Sequence, residues 1–390
     1  MNADGRIEAL DALRGLGVLG ILAVNASFMA GTFTQAVEPR AWPFPNSGAS
    51  LAVWGVVHVF FESKFITLFS LLFGVSTWLV GGEPGDAARN ARLARRFGWL
   101  AVFGALHGGL VWYGDVLLDY AVCGFAVMGL RGWPARRLVV AGVGGYVLGL
   151  AVMTAAPAWP AFDAWLLPVG APDAQDFQHG FVASLQANFA AWTSHRALVA
   201  FYTLPYCAPL MLLGLGLFKS GVLAGAADAR FYKAAIAAGA IALAFHAGST
   251  ALYAASGFAG DFGGNWDTLM LDVTSPFIAF GYASALLLAM RSARFAWIVR
   301  ALAPLGRMAF TNYIAQSLLM TMLFYGGRGP GLFDRVDRPG LALVVAAIWA
   351  IELAWSHWWL RHHEAGPLEW LWHGLTHGRF KPNRRARARG

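Results

Sequence analysis

Several groups able to do chemistry lie in stretches that are otherwise apolar. His58 and Glu62 are four residues apart and share a face if the helix there is continuous. A carboxylate beside an imidazole is the usual support for a catalytic base. His107 lies between Gly104 and Gly108, a spacing of small residues that lets helices approach or leaves room for a ligand. It is read either as a satisfied hydrogen-bonding group or as a base. Asp115 and Asp119 follow, four apart, and suit either a helix N-terminus or substrate binding. Arg14 stands three residues after Asp11, which allows a salt bridge or an anion contact through its forked donors. Asn25 is about 16 Å further along the same helix. Arg307 opens a stripe of Asn312, Tyr313 and Gln316, suited to interhelical hydrogen bonds or to a path for a long polar ligand. Glu352 is the acid nearest the middle of a span, with His246 as a candidate partner. His373 and His377 could share a metal on one helical face, but no third ligand is specified and no metal is assigned. The chain has no phosphate loop, zinc-protease signature or nucleophile elbow.

Composition says what must position these groups. Of 390 residues, 58% are hydrophobic and 13% charged, against about 25% charged in ordinary soluble proteins. Mean hydropathy is +0.53. A soluble globule of this size, a disordered chain and a disulfide scaffold are all excluded. Cys123 and Cys207 sit in apolar runs and read as small buried hydrophobes. Ten stretches are apolar enough, or nearly so, to cross a bilayer: 12–30, 56–80, 97–113, 115–130, 138–156, 198–218, 234–256, 270–290, 306–325 and 341–360. The third and fourth meet in a tight hairpin at Tyr113-Gly114-Asp115. Residues 51–80 would make a helix of about 45 Å, too long for a bilayer, so a break is expected at Ser63-Lys64. The expected fold is an all-α polytopic membrane bundle of about ten transmembrane helices. It forms one domain over 1–378, followed by a basic tail at 379–390.

Most of the 29 Lys and Arg residues fall on alternate connections, which orients both termini to the cytoplasm of a bacterial inner membrane. The tail Arg379 to Arg389 then meets lipid headgroups rather than nucleic acid. Asp11, Arg14 and Asn25 interrupt the first apolar stretch, so it reads as a span and not as a cleaved leader. Residues 157–197 are expected outside. They begin with Pro157, Pro160, Pro168 and Pro172, then place Phe177, Phe181, Leu185, Phe189 and Trp192 at helical spacing. That is an amphipathic helix lying on the membrane or capping the bundle.

Taken together, these motifs resemble the bacterial YeiB-type membrane proteins, which carry domain of unknown function 418 in their C-terminal half, here about 220–378. The resemblance rests on Asp11-Ala12-Leu13-Arg14-Gly15 with Asn25, Lys64-Phe65, Leu68 to Gly74, and His107 with Tyr113-Gly114-Asp115 and Tyr120. It continues through Gly306-Arg307, Asn312-Tyr313 and Gln316-Ser317 to Gly366-Pro367-Leu368-Glu369-Trp370-Leu371-Trp372. After that last Trp the family often has Arg, where this chain has His373.

A more distant similarity, to the transmembrane acyltransferase superfamily, implies a bundle of about ten helices, cytosolic acyl-CoA as co-substrate, an acceptor at the opposite face and a central histidine. The histidine that some of those enzymes place late in the first helix is replaced here by Asn25, so the role passes to His107, or to His58 with Glu62. Arg14, Asn25, Asp115, Arg307, Asn312, Tyr313, Gln316 and Glu352 become candidates for binding donor or substrate. The leading expectation is acyl transfer to an envelope, glycan or small-molecule acceptor. Transport of a small metabolite is the alternative, and an oligomer is allowed by either.

Overall fold

The structure is a computed structural model, and it describes residues 8–156, 172–259 and 262–385. Pro157, Pro160 and Pro168 lie outside the described residues, as does the end of the basic tail. The described residues hold helices and no named strand. In chain order they are α1 (Glu8–Ala30), α2 (Phe33–Val37), α3 (Gly48–Phe60), α4 (Lys64–Gly81), α5 (Ala87–Leu110), α6 (Leu117–Met128), α7 (Ala135–Ala155) and α8 (Ala174–Gln178). There follow α9 (Phe181–Ser194), α10 (Arg196–Lys219), α11 (Ala229–Ala255), α12 (Phe262–Ala289), α13 (Ala296–Arg307), α14 (Ala309–Phe324), α15 (Arg338–His362) and α16 (Pro367–His377).

Among the described residues, seven helical segments are long and apolar enough to cross a membrane: Glu8–Ala30, Gly48–Gly81, Ala135–Ala155, Val199–Lys219, Ala229–Ala255, Asn265–Ala289 and Arg338–His362. This is a multi-pass membrane protein. The other three expected spans are helical but fall short of that measure. The first half of α5 carries Arg89, Arg92, Arg95 and Arg96. α6 has only 12 residues and α14 only 16.

The overlong second stretch breaks where its length required. α3 ends at Phe60, Ser63 takes a left-handed backbone with φ 61, and α4 starts at Lys64. α5 and α6 form the expected hairpin through Tyr113-Gly114-Asp115. The Asp115 carboxylate receives the Leu118 amide at 3.1 Å and so closes the start of α6.

Close backbone crossings hold the bundle together. α1 packs most extensively on α13, where Gly15 and Gly306 face each other so tightly that a Cβ on either would strike the opposite helix backbone. Gly74 of α4 and Gly214 of α10 make a second such contact. With lipid chains as apolar as the side chains, this close packing is what favours helix association.

Residues 174–194 cap one end of the bundle, but not as a single helix with a buried bulky stripe. Gly180, at φ 106, divides α8 from α9. Phe177 is buried against Phe333 and Tyr325, whereas Phe181 and Phe189 are 55% and 51% exposed. The buried face of α9 is Ser184, Ala187, Asn188 and Ala191. Small residues allow close approach to α5, Phe181 and Phe189 point outward, and Trp192 lies against Gly108 of α5.

Candidate functional site

α1, α4, α5, α13, α14 and α16 surround a cavity of about 540 Å³ at one end of the bundle. Its mouth carries Arg14, Arg96, Arg307 and Lys381 with Trp370 and Trp372. Its depth is apolar, with Val18, Ile21, Leu72, Phe73, Phe97 and Leu100, and Tyr120 and Tyr313 are also in the wall. The Gly15–Gly306 crossing sets Arg14 and Arg307 at the same rim. Arg14 donates to Asp11 Oδ1 and to Ser76 Oγ, both at 3.0 Å. The Arg14–Asp11 bridge thus forms at the basic mouth itself. Arg307 donates to the Glu364 carbonyl at 2.8 Å. Arg96 lies 3.6 Å over the Trp372 ring, whose indole N–H donates back to the Arg96 carbonyl at 3.0 Å.

The Gly366–Trp372 segment closes this mouth. Glu369 accepts from the Phe310 amide at 2.7 Å, the Thr311 amide at 3.1 Å and Thr311 Oγ1 at 2.5 Å. It thus caps the first turn of α14 from another helix. Burial lifts its carboxyl above the usual carboxylate range, and the three donors pull the other way. His373 lines the mouth and stacks on His377 at 4.0 Å. Burial lowers its imidazole below the ordinary value, and the nearby His377 and Arg96 add to this. Among the described residues no group of three or more His, Cys, Asp or Glu is placed to hold a metal ion.

His107 lies behind the cavity wall, with its ring 5.3 Å from that of Tyr313. Its Nδ1 is 2.8 Å from Asp115 Oδ1, and both side chains are almost fully buried. Facing an ionised carboxylate, a neutral imidazole would carry its proton on Nδ1 and leave the Nε2 lone pair free. Nε2 is buried with no hydrogen-bond partner among the described residues. The expected ligand space between Gly104 and Gly108 is filled by protein: Gly104 abuts the α6 start and Asp115, and Gly108 abuts the Trp192 indole.

His58 stands in a different cluster. Its Nδ1 is 2.5 Å from Glu62 Oε2 and its Nε2 is 2.8 Å from Asp267 Oδ2. With a carboxylate on each nitrogen, the ring suits a doubly protonated cation held in place. Lys64, fully buried, donates to the His58 carbonyl at 3.1 Å, and Trp54 stacks on the imidazole. Thr250 donates to the other oxygen of Asp267 at 3.1 Å.

The remaining candidates separate from both clusters. Asn312 donates to Ser356 Oγ at 2.9 Å, and Gln316 to Glu352 Oε2 at 2.8 Å. Neither lines the cavity, so this polar stripe is used between helices and only Tyr313 reaches the site. Glu352 is thus paired with Gln316, whereas His246 lies 3.3 Å from the His58 carbonyl, in the other cluster. Asp119 binds Arg196 at 3.0 Å. Asn25 is half-buried and belongs to neither cluster. Sequence reasoning missed Arg96, Ser76 and Asp267. Arg96 was visible only as one charge among four in a basic turn, and nothing in the spacing ties Asp267 to His58 across 209 positions.

Comparison with known proteins covers nearly the whole chain. Residues 217–379 match the family described as protein of unknown function DUF418. The chain is 32% identical to the uncharacterised protein YeiB of Escherichia coli (strain K12), over 95% of this chain and 96% of that one. It is 28% identical to the uncharacterised protein YxaH of Bacillus subtilis (strain 168), over 97% and 96%. A 39.9 kDa protein of Bacillus acidopullulyticus is 24% identical over 97% and 96%. The chain belongs to the YeiB-type family of membrane proteins marked by DUF418.

Proposed function

We propose that the protein transfers an acyl group from a phosphate-bearing thioester such as acyl-CoA, entering at the basic mouth, to a hydroxyl reached from the opposite end. The observation that carries this reading is an apolar cavity with a cationic rim, behind whose Tyr313 wall the His107–Asp115 dyad holds an unpartnered Nε2. Arg14, Arg96, Arg307 and Lys381 supply donors and charge for phosphate oxygens. The apolar shaft takes the thin arm and the acyl chain.

In the step itself the acceptor oxygen attacks the thioester carbonyl carbon and the C–S bond breaks. His107 Nε2 takes the hydroxyl proton and returns it to the leaving thiolate. Asp115 keeps the imidazole in the right tautomer and stabilises the cation formed in between. General-base help of this kind is worth about 10²–10⁴-fold. Tyr313 must swing aside for donor carbonyl and imidazole to meet. His58, with both nitrogens engaged, serves here as a fixed cation rather than as the base. With ten spans and the N-terminus inside, the basic mouth faces the cytosol.

The test is thiol release from acetyl-CoA and longer acyl-CoA by protein purified into lipid nanodiscs. Release by the wild type, and its reduction at least a hundredfold in His107→Gln with coenzyme A still bound, supports the reading. No binding and no release sinks it. Transport then becomes the better account, supported by the break at Ser63 beside buried Lys64 and His58, the kind of interrupted span that lines transporter sites. Solute flux into proteoliposomes would read that out.

A further inference from the structure

Ionisable groups inside a membrane bundle are costly and point to function by default. One cluster of them stands apart from the cavity, at the break between α3 and α4. Lys64 begins α4, and Ser76 of the cavity wall lies about 18 Å further along that helix. α3 supplies His58, with Glu62 in the turn that follows it. α11 supplies His246 and Thr250, and α12 supplies Asp267 and, within electrostatic reach of Lys64, Asp272. α15, also packed on α3, brings Trp349 against Phe61. The two carboxylates on the His58 ring differ in their surroundings. Asp267 has 3% side-chain exposure and a second bond from Thr250, whereas Glu62 is 31% exposed. His246 adds an acceptor. Its Nε2 faces the His58 carbonyl at 3.3 Å, so in a neutral ring Nδ1 keeps the lone pair. That Nδ1 is buried with no hydrogen-bond partner among the described residues, and the two imidazole rings are 5.1 Å apart.

We infer that this cluster is a proton-binding site, which holds one proton on His58, exchanges it through Glu62, and so fastens the turn between α3 and α4. The inference does not depend on acyl transfer. The ligand follows from the atoms. A metal ion needs bare oxygen lone pairs, but each carboxylate already faces an imidazole nitrogen, and Lys64 adds positive charge. An anion needs free donors, and both ring nitrogens of His58 are taken. A proton is the ion for which these groups have two matched states. In the loaded state the imidazolium gives one N–H to each carboxylate. In the other, the Nδ1–H bond breaks, an O–H bond forms on Glu62 Oε2, and a base in solution takes the proton from there. One N–H then remains for two anions. Leaving the buried Asp267 bare costs more than leaving the partly exposed Glu62, so Nε2 keeps its proton. Nδ1 and Glu62 are then two facing acceptors, and Glu62 swings away. The motion falls on Ser63, already left-handed at φ 61, and not on a helix. The unmet lone pair of His246 offers the proton a second buried acceptor, for which a fixed ion pair has no use.

The test is a pH titration of the full chain in nanodiscs, followed by NMR of ¹⁵N-labelled histidine. His58 is assigned by the ring-current shift that its signals lose in Trp54→Phe, the indole stacked on it. The expected result is a ring protonated on both nitrogens that loses the Nδ1 proton alone as pH rises, in a protein still folded. Glu62→Gln keeps an oxygen for the Nδ1–H and removes the charge, so the same loss should come about 1–3 pH units lower. Spin labels at Val56→Cys on α3 and Leu79→Cys on α4, both half exposed, should report a changed distance at the pH of that loss. The wild-type titration and the labels decide the matter if Glu62→Gln fails to fold. A ring that stays doubly protonated until the protein unfolds would mark a fixed ion pair and overturn the proposal. So would a ring neutral throughout, loss of the proton from Nε2, equal midpoints in wild type and Glu62→Gln, or labels that do not move.

Discussion

Gly15 of α1 and Gly306 of α13 meet backbone to backbone, and each immediately precedes or follows an arginine of the cavity rim. A Cβ on Gly15 would collide with the Leu302 carbonyl, and one on Gly306 with the Asp11 carbonyl. The Arg14-Gly15 and Gly306-Arg307 pairs are therefore one device. The glycines bring the two helices together, and the contact sets both guanidinium groups at one opening.

Gly306→Ala should lower the thermal unfolding midpoint of the detergent-solubilised protein. Overpacking typically costs about 1–3 kcal/mol, and here the obstacle is backbone, which cannot rotate away. Gly144→Ala is the matched control, because nothing lies within 4 Å of a Cβ there. In the control the higher helix propensity of alanine should leave the midpoint unchanged or slightly raised. Equal behaviour of the two variants would contradict the crossing.

Arg14→Gln and Arg307→Gln should each weaken coenzyme A binding, measured by calorimetry. A hydrogen bond to a charged group contributes about 1.5–3 kcal/mol, or roughly ten- to a hundredfold in affinity. The rim is partly open, so added salt should weaken wild-type binding as well. Unchanged affinity in both variants would remove the phosphate role of this mouth.

The helices were legible because apolar runs of membrane length leave little choice of secondary structure. The break at Ser63 was legible for the same reason: the stretch was too long for one crossing. α5 was harder, since its first half carries four arginines, of which Arg96 lines the mouth, and only its second half is apolar. The spacing of the capping segment left open whether its large rings face the bundle or lie on the membrane, because hydrophobic spacing alone does not say which medium faces them. Phe181 and Phe189 point outward, and Ala187 and Asn188 face in.

The site was legible as residue types and not as partnerships. His58 with Glu62 and Arg14 with Asp11 are near neighbours in the chain, and both contacts form. His107 finds Asp115 across a turn whose direction no periodicity fixes. His246 goes to His58 and Glu352 to Gln316, pairings set by how the helices stack.

His58→Leu should destabilise the protein strongly. It would leave Glu62 and Asp267 facing each other without the cation between them, and breaking a buried charge pair costs about 3–5 kcal/mol. Adding Asp267→Asn and Glu62→Gln to that variant should recover much of the loss. A double-mutant cycle on unfolding midpoints reads this out. Full independence of the three substitutions would show that the carboxylates do not depend on the imidazole.

Asp115→Asn separates orientation from folding at the proposed catalytic histidine. Asp115 does two jobs, accepting from the Leu118 amide through Oδ2 and from His107 through Oδ1. Asparagine keeps the first, since its single carbonyl oxygen caps a helix about as well as a carboxylate. With that oxygen turned to Leu118, the amide nitrogen faces His107 Nδ1 and donates to it. Nδ1 must then be the acceptor, the imidazole proton moves to Nε2, and the lone pair that would take the acceptor proton is gone. The variant should fold with a near-native melting midpoint and bind coenzyme A normally, yet lose thiol release and transfer by about 10³–10⁴-fold, as expected when a histidine base is held in the wrong tautomer. The loss should fall on kcat with KM for the donor little changed. ¹⁵N imidazole shifts should show the proton on Nε2. A correctly folded Asp115→Asn protein with that tautomer and wild-type turnover would end the case for His107 as the base.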